Sequence, residues 1–146
     1  MSDLHGGVGH IEVEEAWRRL AEEPDAVLID VRTRAEWTFV GVPDLSAIGK
    51  QPLLVEWQGF PGGAPNTHFA DQLSAELARL GAGAQAPLFF ICRSGSRSLG
   101  AAQVMASAGY RACFNVEEGF EGPPDQDRHR GHLAGWKAAG LPWVQG

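Results

Sequence analysis

The sequence predicts an α/β fold with a mostly parallel sheet, because short apolar runs of strand length alternate with longer segments of helical periodicity. The chain has 146 residues, of which 44% are hydrophobic and 21% charged, the ordinary size and composition of one globular domain. Neither an internal repeat nor a low-complexity tract interrupts the pattern. We therefore expect a single domain at residues 9–146, preceded by a short N-terminal extension at residues 1–8.

The individual elements follow from apolar spacing and from the Gly- and Pro-containing breaks between runs. Ala16, Trp17 and Leu20 recur at helical spacing, and so do the apolar residues between positions 69 and 80. The runs read as strands are short and apolar throughout, as expected for strands covered on both faces. In order, the prediction is a strand at 11–13, a helix at 14–21, a strand at 26–30, a loop at 41–51, a strand at 53–57, a helix at 69–80, a connector at 81–87, a strand at 88–91, a helix after the loop that begins at Cys92, and a strand at 112–116.

The segment around Cys92 is the most informative part of the chain. An apolar run at residues 88–91 ends at this cysteine, and a polar loop containing a glycine leads directly into a helix. Backbone N–H groups at a helix start lack partners within the helix and attract anions. Arg93 and Arg97 add positive charge, and no acidic residue lies between positions 83 and 116 to oppose them. We interpret Cys92 as a nucleophile held as a thiolate; the alternative is a small buried hydrophobic residue.

The residues from Cys92 to Arg97 read CRSGSR and resemble the Cys-x-x-Gly-x-Arg active-site loop of the rhodanese-like sulfurtransferases. Other segments resemble that family in the same order: VLIDVR with the later EW pair, AGY with FNVEEGF, and GWKAAGLP, which resembles the closing helix. The resemblance extends from about residue 9 to the end of the chain. It implies a rhodanese-like three-layer sandwich, with helices on both faces of a central, mostly parallel sheet of about five strands.

The resemblance implies an enzyme similar to thiosulfate sulfurtransferase. Cys92 would accept a sulfane sulfur from a small anionic donor, such as thiosulfate or a persulfide, and pass it from a cysteine persulfide to a thiol, a protein or cyanide. No metal and no organic cofactor is implied. The other loop residues expected to bind the donor and the persulfide are Arg93, Ser94, Gly95, Ser96, Arg97 and Ser98.

Supporting roles are expected beside the loop, because ligand sites in such sheets gather at the carboxyl ends of the strands. Arg93 is expected to point outward toward the donor, whereas Arg97 is expected to fasten the loop by bonding to it or to an acidic neighbour. Asp30 could orient a loop arginine or fix the turn after its strand, and the structural role is favoured. Arg32 is interpreted as a structural ion-pair partner.

Two other functions deserve comparison with sulfur transfer. A phosphatase or arsenate reductase is disfavoured by the length of the loop. The resemblance implies that relatives acting on phosphate or arsenate have five residues between Cys and Arg, whereas four residues separate Cys92 from Arg97. The loop vicinity also lacks an Asp that could act as general acid. The second alternative is a non-turnover sulfur carrier or a sensor module that binds a partner protein.

Cys113 and two long segments leave further alternatives open. Cys113 is interpreted as a buried strand residue; as a resolving thiol it would need a Cα–Cα distance to Cys92 below about 7 Å. Residues 58–68 and 121–132 are longer than in a minimal family member, and both are expected to wall the site. The second segment is either a solvated loop or a lid whose Arg128 or Arg130 selects an anionic donor.

Charge and hydropathy exclude several partners and compartments. The net charge is −6 and the sequence contains no basic stripe, so nucleic acid is not expected as a main partner. No apolar run reaches the length needed to span a membrane. Residues 1–10 lack the features of a signal peptide. Neither cysteine has a Cys or His neighbour at metal-ligand spacing, so no zinc site is expected there. The expected compartment is the cytoplasm, where thiols stay reduced.

Overall fold

The computed structural model describes residues 4–5, 7–59 and 62–145; parts of the predicted extension and residues 60–61 of the predicted 58–68 loop lie outside this range. The strands are β1 (Leu4–His5), β2 (Val8–Ile11), β3 (Val27–Asp30), β4 (Val42–Pro43), β5 (Leu53–Leu54), β6 (Leu88–Ile91), β7 (Cys113–Val116) and β8 (Trp143–Val144). The helices are α1 (Val13–Glu22), α2 (Arg34–Phe39), α3 (Phe69–Arg79) and α4 (Ser96–Ser107), with a 3₁₀ helix at Ser46–Ile48.

Six strands form the central sheet in the order β1-β2-β7-β6-β3-β5. The strands from β2 to β5 in this order run parallel, and β1 joins the edge antiparallel to β2. Every residue of β3 and β6 is buried, as their unbroken apolar runs require for strands covered on both faces. The predicted α/β class and the central parallel sheet of five strands are confirmed.

Helices cover both faces of this sheet and create two separate apolar layers. One layer lies between the sheet and α3 with α4, and the other between the sheet and α1 with the C-terminal segment. The three-layer architecture is therefore also confirmed. The residues that α3 and α4 bury are Phe69, Leu73, Leu77, Ala101, Ala102 and Met105; those on the opposite face include Ala16, Leu20 and Trp136.

The predicted closing helix is wrong. Bends and turns occupy residues 131–140, because Gly135 and Gly140 adopt positive φ angles of 99° and 76°, which a right-handed helix does not contain. The chain then extends into β8, which pairs antiparallel with β4 in a second, two-stranded sheet. The Trp136 indole N–H donates to the Pro142 carbonyl at 2.6 Å and holds this end of the chain in place.

Other boundaries differ from the prediction for local reasons. The strand predicted at residues 11–13 is β2 at Val8–Ile11, with β1 before it in the chain, and the predicted 41–51 loop contains β4 and the 3₁₀ helix. Strand β5 has two residues in place of the five predicted, although the Val55 N–H still donates to the Asp30 carbonyl at 3.1 Å. Helix α2 was not predicted; it starts at a capping box in which Thr33 and Glu36 exchange side-chain and backbone hydrogen bonds.

Among the described residues, the longest helix is α4 with 12 residues, and none combines the length and apolar character needed to cross a bilayer.

Candidate active site

Cys92 directly follows β6, at the carboxyl end of the parallel strands. Strands β3 and β7 flank β6, so Asp30 lies opposite Ile91 and Asn115 lies opposite Phe90 in the sheet register. This arrangement brings together the end of β3, the loop after β6 and the segment after β7. Asp30 and the Cys92 loop therefore lie at the same end of the sheet, as the sequence predicts, and the segment after β7 joins them there.

Two donor groups of the loop lie within hydrogen-bond distance of the Cys92 sulfur. The Gly95 backbone N–H lies 3.1 Å from Sγ, and the Ser98 hydroxyl lies 3.2 Å from it. The sequence suggested that the N–H groups of the whole loop surround the sulfur, whereas the hydrogen bonds present come from one amide and one hydroxyl. Cys92 is also only 1% exposed, so a donor cannot reach Sγ without some movement of the surrounding groups.

Gly95 is required by both conformation and space. It is the residue before α4 and adopts a φ of 106°, in the region that favours glycine. A Cβ at this position would overlap the Glu117 carbonyl oxygen, which belongs to the segment after β7. The missing side chain lets the loop turn back so that the Gly95 N–H faces Sγ.

Asn115 positions the two donors to the thiol. It is 3% exposed on β7; its Nδ2 donates to the Gly95 carbonyl at 3.1 Å, and its Oδ1 accepts from the Ser98 hydroxyl at 2.5 Å. Because a hydroxyl has one hydrogen, Ser98 donates either to Asn115 or to a Cys92 thiolate, but not to both. Ser98 can therefore supply a hydrogen bond when negative charge develops on the sulfur. Sequence analysis missed Asn115, although a single amide in an otherwise apolar strand pattern is a readable signal.

The carbonyl groups at the start of the loop accept hydrogen bonds from backbone groups of the segment after β7. The Phe120 N–H donates to the Cys92 carbonyl at 2.8 Å, and the Glu121 N–H donates to the Arg93 carbonyl at 3.0 Å. Gly119 permits this close approach, since a Cβ there would lie 2.5 Å from the Arg93 carbonyl oxygen. The segment after β7 thus fixes the orientation of the first loop peptides.

Arg97 binds Glu36, which is the acidic neighbour that sequence analysis expected without identifying it. The two guanidinium nitrogens donate to the two carboxylate oxygens at 2.7 and 2.9 Å, and each side chain is one-fifth exposed. Burial alone would raise the pKa of Glu36, but the hydrogen bonds and charge of Arg97, together with the hydrogen bonds from Thr33, lower it to about 2. The pKa of Arg97 is raised, mainly by the same hydrogen bonds.

This pairing changes the charge expected at the loop. Glu36 is distant in sequence but compensates the positive charge of Arg97 in the fold. The lack of acidic residues between positions 83 and 116 therefore does not mean that both loop arginines are unpaired. Arg93 is exposed and lies at the surface of the loop, in the outward position expected for it. Ser94 is half-buried, and Ser96 is exposed at the first position of α4.

Asp30 and Arg32 form a fully buried ion pair at the end of β3. The Arg32 Nη2 donates to the Asp30 Oδ2 at 2.6 Å and to the Gly41 carbonyl at 2.8 Å. The same guanidinium lies 4.2 Å from the centre of the Phe120 ring, in cation–π geometry. The Phe120 N–H in turn binds the Cys92 carbonyl, so the ion pair supports the loop through Phe120. Its role is therefore structural, and it does not orient a loop arginine.

A cavity of about 540 Å³ opens beside the loop. Both long segments contribute to its wall, as expected, and Arg130 lines it whereas Arg128 does not. A wider depression of about 750 Å³ lies at the opposite edge of the sheet, near Lys50, and no residue of the 92–98 loop lines it. The smaller cavity is lined by Thr33, Ala35, Glu36, Phe39, Val40, Gln58, Gly59, Gly63, Arg93, Arg97, Glu121 and Arg130.

Cys113 is too far from Cys92 to act as a resolving thiol in this structure. It lies opposite Leu88 in the β6–β7 register, and Cys92 comes four residues later. At about 3.3 Å per residue the two positions are roughly 13 Å apart, well beyond the ~7 Å limit for a disulfide. Burial raises the pKa of the Cys113 thiol to about 11, and both cysteines are free.

The sequence and the fold are similar to those of other proteins over nearly the whole chain. The family model named STR4 middle domain matches residues 8–146. The "Uncharacterized protein RP600 homolog" of Rickettsia rickettsii is 39% identical over 129 residues, which are 88% of this chain and 91% of that protein. The crystal structure of Rv0390 from M. tuberculosis superposes with a TM-score of 0.83 at 45% identity, over 94% of this chain and 97% of that one.

Two more distant proteins are similar over most of this chain. The chloroplastic "Protein THYLAKOID RHODANESE-LIKE" of Oryza sativa subsp. indica is 28% identical over 136 residues, which cover 93% of this chain but 25% of that protein. The polysulfide-sulfur transferase homodimer of Wolinella succinogenes shares the fold, with a TM-score of 0.59 at 22% identity over 96% of this chain and 80% of that one.

Proposed function

The chain belongs to the STR4 middle-domain family of rhodanese-like domains, and we propose that it is a sulfurtransferase that carries a sulfane sulfur on Cys92. One observation carries the proposal: Sγ lies at a helix start, 3.1 Å from the Gly95 backbone nitrogen and 3.2 Å from the Ser98 hydroxyl oxygen, and both groups can donate to a thiolate. Such donors stabilise negative charge on sulfur. A cysteine that served only as a packing residue would not need them.

The proposed reaction has two steps. The Cys92 thiolate attacks the outer sulfur of thiosulfate or of a persulfide; a new S–S bond forms, the S–S bond of the donor breaks, and sulfite or a thiolate leaves with the electron pair. An acceptor thiolate or cyanide then attacks the terminal sulfur and releases the Cys92 thiolate. We expect the N–H groups at the start of α4 to hold the terminal persulfide charge between the two steps.

The cavity beside the loop is the proposed donor site. Exposed Arg93 and the wall residue Arg130 give it positive charge, which the Glu121 carboxylate in the same wall offsets in part, whereas the charge of Arg97 is paired with Glu36. Because Cys92 is 1% exposed, the proposal requires the groups between the cavity and Sγ to move before sulfur transfer. An anionic donor fits this distribution of charge better than a neutral one.

A sulfur carrier that delivers to a partner protein is the second candidate. Phe39 is 76% exposed and lines the cavity, and an apolar side chain at that place suits a protein acceptor better than cyanide. Both functions suit the cytoplasm, where the two free thiols would stay reduced. Fast turnover with thiosulfate and cyanide would favour the enzyme, and persulfide transfer to a protein without such turnover would favour the carrier.

Intact mass spectrometry after incubation with thiosulfate tests the proposal. We expect the protein to gain one sulfur atom, which dithiothreitol removes. Cys92→Ser should gain none, and Cys113→Ser is the matched control that should gain the same amount as the natural chain. No gain, or a gain that survives Cys92→Ser but not Cys113→Ser, would overturn the proposal.

Arg130 offers a test of donor selection. Arg130→Ala should raise the KM for thiosulfate about threefold to tenfold, because it removes a positive charge from the cavity wall without touching the loop. Arg128→Ala is the matched control, since this arginine lies on the same segment but does not line the cavity. Equal kinetics for the two variants would show that the segment at residues 121–132 does not select the donor.

A further inference from the structure

The segment that follows β7 carries a group of metal-ligating side chains that the sulfur chemistry does not use. Asp125, His129 and His132 each present one donor atom, and these atoms all lie within 4.8 Å of one another. Sequence analysis expected no metal, because it considered spacing around the two cysteines and treated residues 121–132 as a solvated loop or a lid. The three residues come together because the loop folds back on itself.

Asp125 organises this loop with one carboxylate oxygen, and its other oxygen lies against the His132 imidazole. Its Oδ1 accepts the backbone N–H groups of Asp127 at 2.8 Å and of His129 at 2.9 Å. Its own backbone N–H donates to the His129 carbonyl at 2.7 Å. Arg128 adopts a left-handed φ of 64°, which reverses the chain between the first and second ligand positions. The Oδ2 is therefore held in place as a single, directed oxygen donor.

The two imidazoles complete a three-sided arrangement around Asp125 Oδ2. The His132 Nδ1 lies 2.9 Å from that oxygen, and the His129 and His132 rings are 5.9 Å apart at an interplanar angle of 81°. Tetrahedral zinc with bonds of about 2.0–2.2 Å places neighbouring ligand atoms about 3.3–3.6 Å apart. The oxygen and Nδ1 bind each other directly in this structure, so a bound ion would replace that hydrogen bond and separate the two atoms by about half an ångström. Both rings are exposed, so rotation of His129 can bring its nitrogen into the same range.

The donor types select the ion. Calcium and magnesium prefer oxygen ligands throughout, whereas two imidazoles with one carboxylate suit a first-row transition metal and most commonly zinc. We propose that Asp125, His129 and His132 form a binding site for one Zn²⁺ ion, with solvent in the remaining position. The ion would tie the two ends of the 125–132 turn together, next to the cavity wall that contains Arg130.

The loop is also anchored to the rest of the fold, so the ion would bind a largely preformed turn. The Gly131 N–H donates to the Glu121 carbonyl at 2.7 Å, and Arg130 Nη1 donates to the Gly122 carbonyl at 2.7 Å. A preformed turn reduces the ordering cost of binding. This inference is independent of sulfur transfer and survives if Cys92 proves unreactive.

Isothermal titration calorimetry of the untagged protein with ZnCl₂ tests the site. We expect one ion per chain, with affinity weakened at least about tenfold in His129→Ala and in His132→Ala. His68→Ala is the matched control, because it removes an exposed histidine from another surface, and its affinity should equal that of the natural chain. Cys92→Ser should also retain the affinity, which separates this site from zinc bound by the thiol.

Any one of three results would overturn the proposal: absence of zinc binding, unchanged affinity in both His129→Ala and His132→Ala, or loss of binding in Cys92→Ser. Circular dichroism of the two histidine variants should match that of the natural chain, since neither imidazole packs in the core. Calcium chloride in place of zinc should give no binding, and equal binding of the two ions would refute the assigned class of metal.

Discussion

The Arg97–Glu36 pair allows a quantitative test of how the loop is held. Glu36→Gln removes the charge but keeps the size of the side chain, and Gln can also occupy the third position of a capping box. The variant therefore isolates the ion pair from the start of α2. Arg97 keeps its position in the loop sequence and loses only its charged partner.

The pKa of Glu36 gives the expected size of the effect. A fall from 4.5 to about 2 corresponds to an upper value of about 3 kcal/mol, since one pKa unit equals about 1.4 kcal/mol. Each side chain is one-fifth exposed, and solvent screening reduces that value. We expect Glu36→Gln to lower the free energy of unfolding by about 1–2 kcal/mol at pH 7.

The pH dependence distinguishes an ion pair from a packing effect. Because the pKa is lower in the folded protein than in the unfolded chain, the stabilisation is complete above about pH 4.5 and disappears as the pH falls toward 2. Urea unfolding followed by tryptophan fluorescence should thus show a difference between the natural chain and Glu36→Gln that is full at pH 7 and smaller at pH 3.5.

An exposed ion pair of the same residue types provides the control. Glu76 binds Arg79 on α3, but the two side chains are 42% and 62% exposed, so Glu76→Gln should change stability little at any pH. A Glu36→Gln effect that is equal at pH 7 and pH 3.5, or no larger than that of Glu76→Gln, would show that the Arg97–Glu36 ion pair does not stabilise the fold.

Two further predictions concern the donors to the thiol. Ser98→Ala should slow the formation of the Cys92 persulfide about tenfold in a stopped-flow reaction with thiosulfate, because a hydrogen bond to a charged group contributes about 1.5–3 kcal/mol. The same substitution should also lower the unfolding midpoint, because the buried Asn115 Oδ1 loses its donor; an unchanged rate of persulfide formation would exclude the hydroxyl from the chemistry. Gly95→Ala should lower the free energy of unfolding by at least about 2 kcal/mol, because it combines a φ of 106° with overlap against the Glu117 carbonyl; a variant of normal stability would show that the loop has another conformation.

The part of the site that sequence analysis predicted is contiguous in the chain. A buried strand, a cysteine, a loop and a helix start follow one another without interruption, so their local order already determines where the thiol lies. Strands β3 and β6 and helix α3 were predicted for the same reason, because their apolar pattern is local. The resemblance to a known family added the identity of the loop but no contact between distant segments.

The unpredicted features depend on contacts between residues far apart in sequence. Glu36 lies 61 positions before Arg97, and Asn115 lies 17 positions after Ser98, so neither partner is visible in the loop motif. Helix α2 has six residues, too few to display a helical period. The prediction of the closing helix was wrong because it depended on the resemblance and not on the local sequence. The backbone at Gly135 adopts a positive φ that favours glycine and interrupts a helix.

The hydrogen bonds from Phe120 and Glu121 to the carbonyls of Cys92 and Arg93 couple two distant stretches of the chain. A change in the length of one stretch therefore requires a matching change in the other. An extra residue inserted before Gly95 would displace those carbonyls from their partners, and a compensating change beyond β7 would then be required. The width of the loop between Cys92 and Arg97 is accordingly a property of both stretches. Engineering this scaffold to accept a larger oxyanion therefore calls for simultaneous redesign of the two, since lengthening either one by itself would leave buried peptide groups without partners.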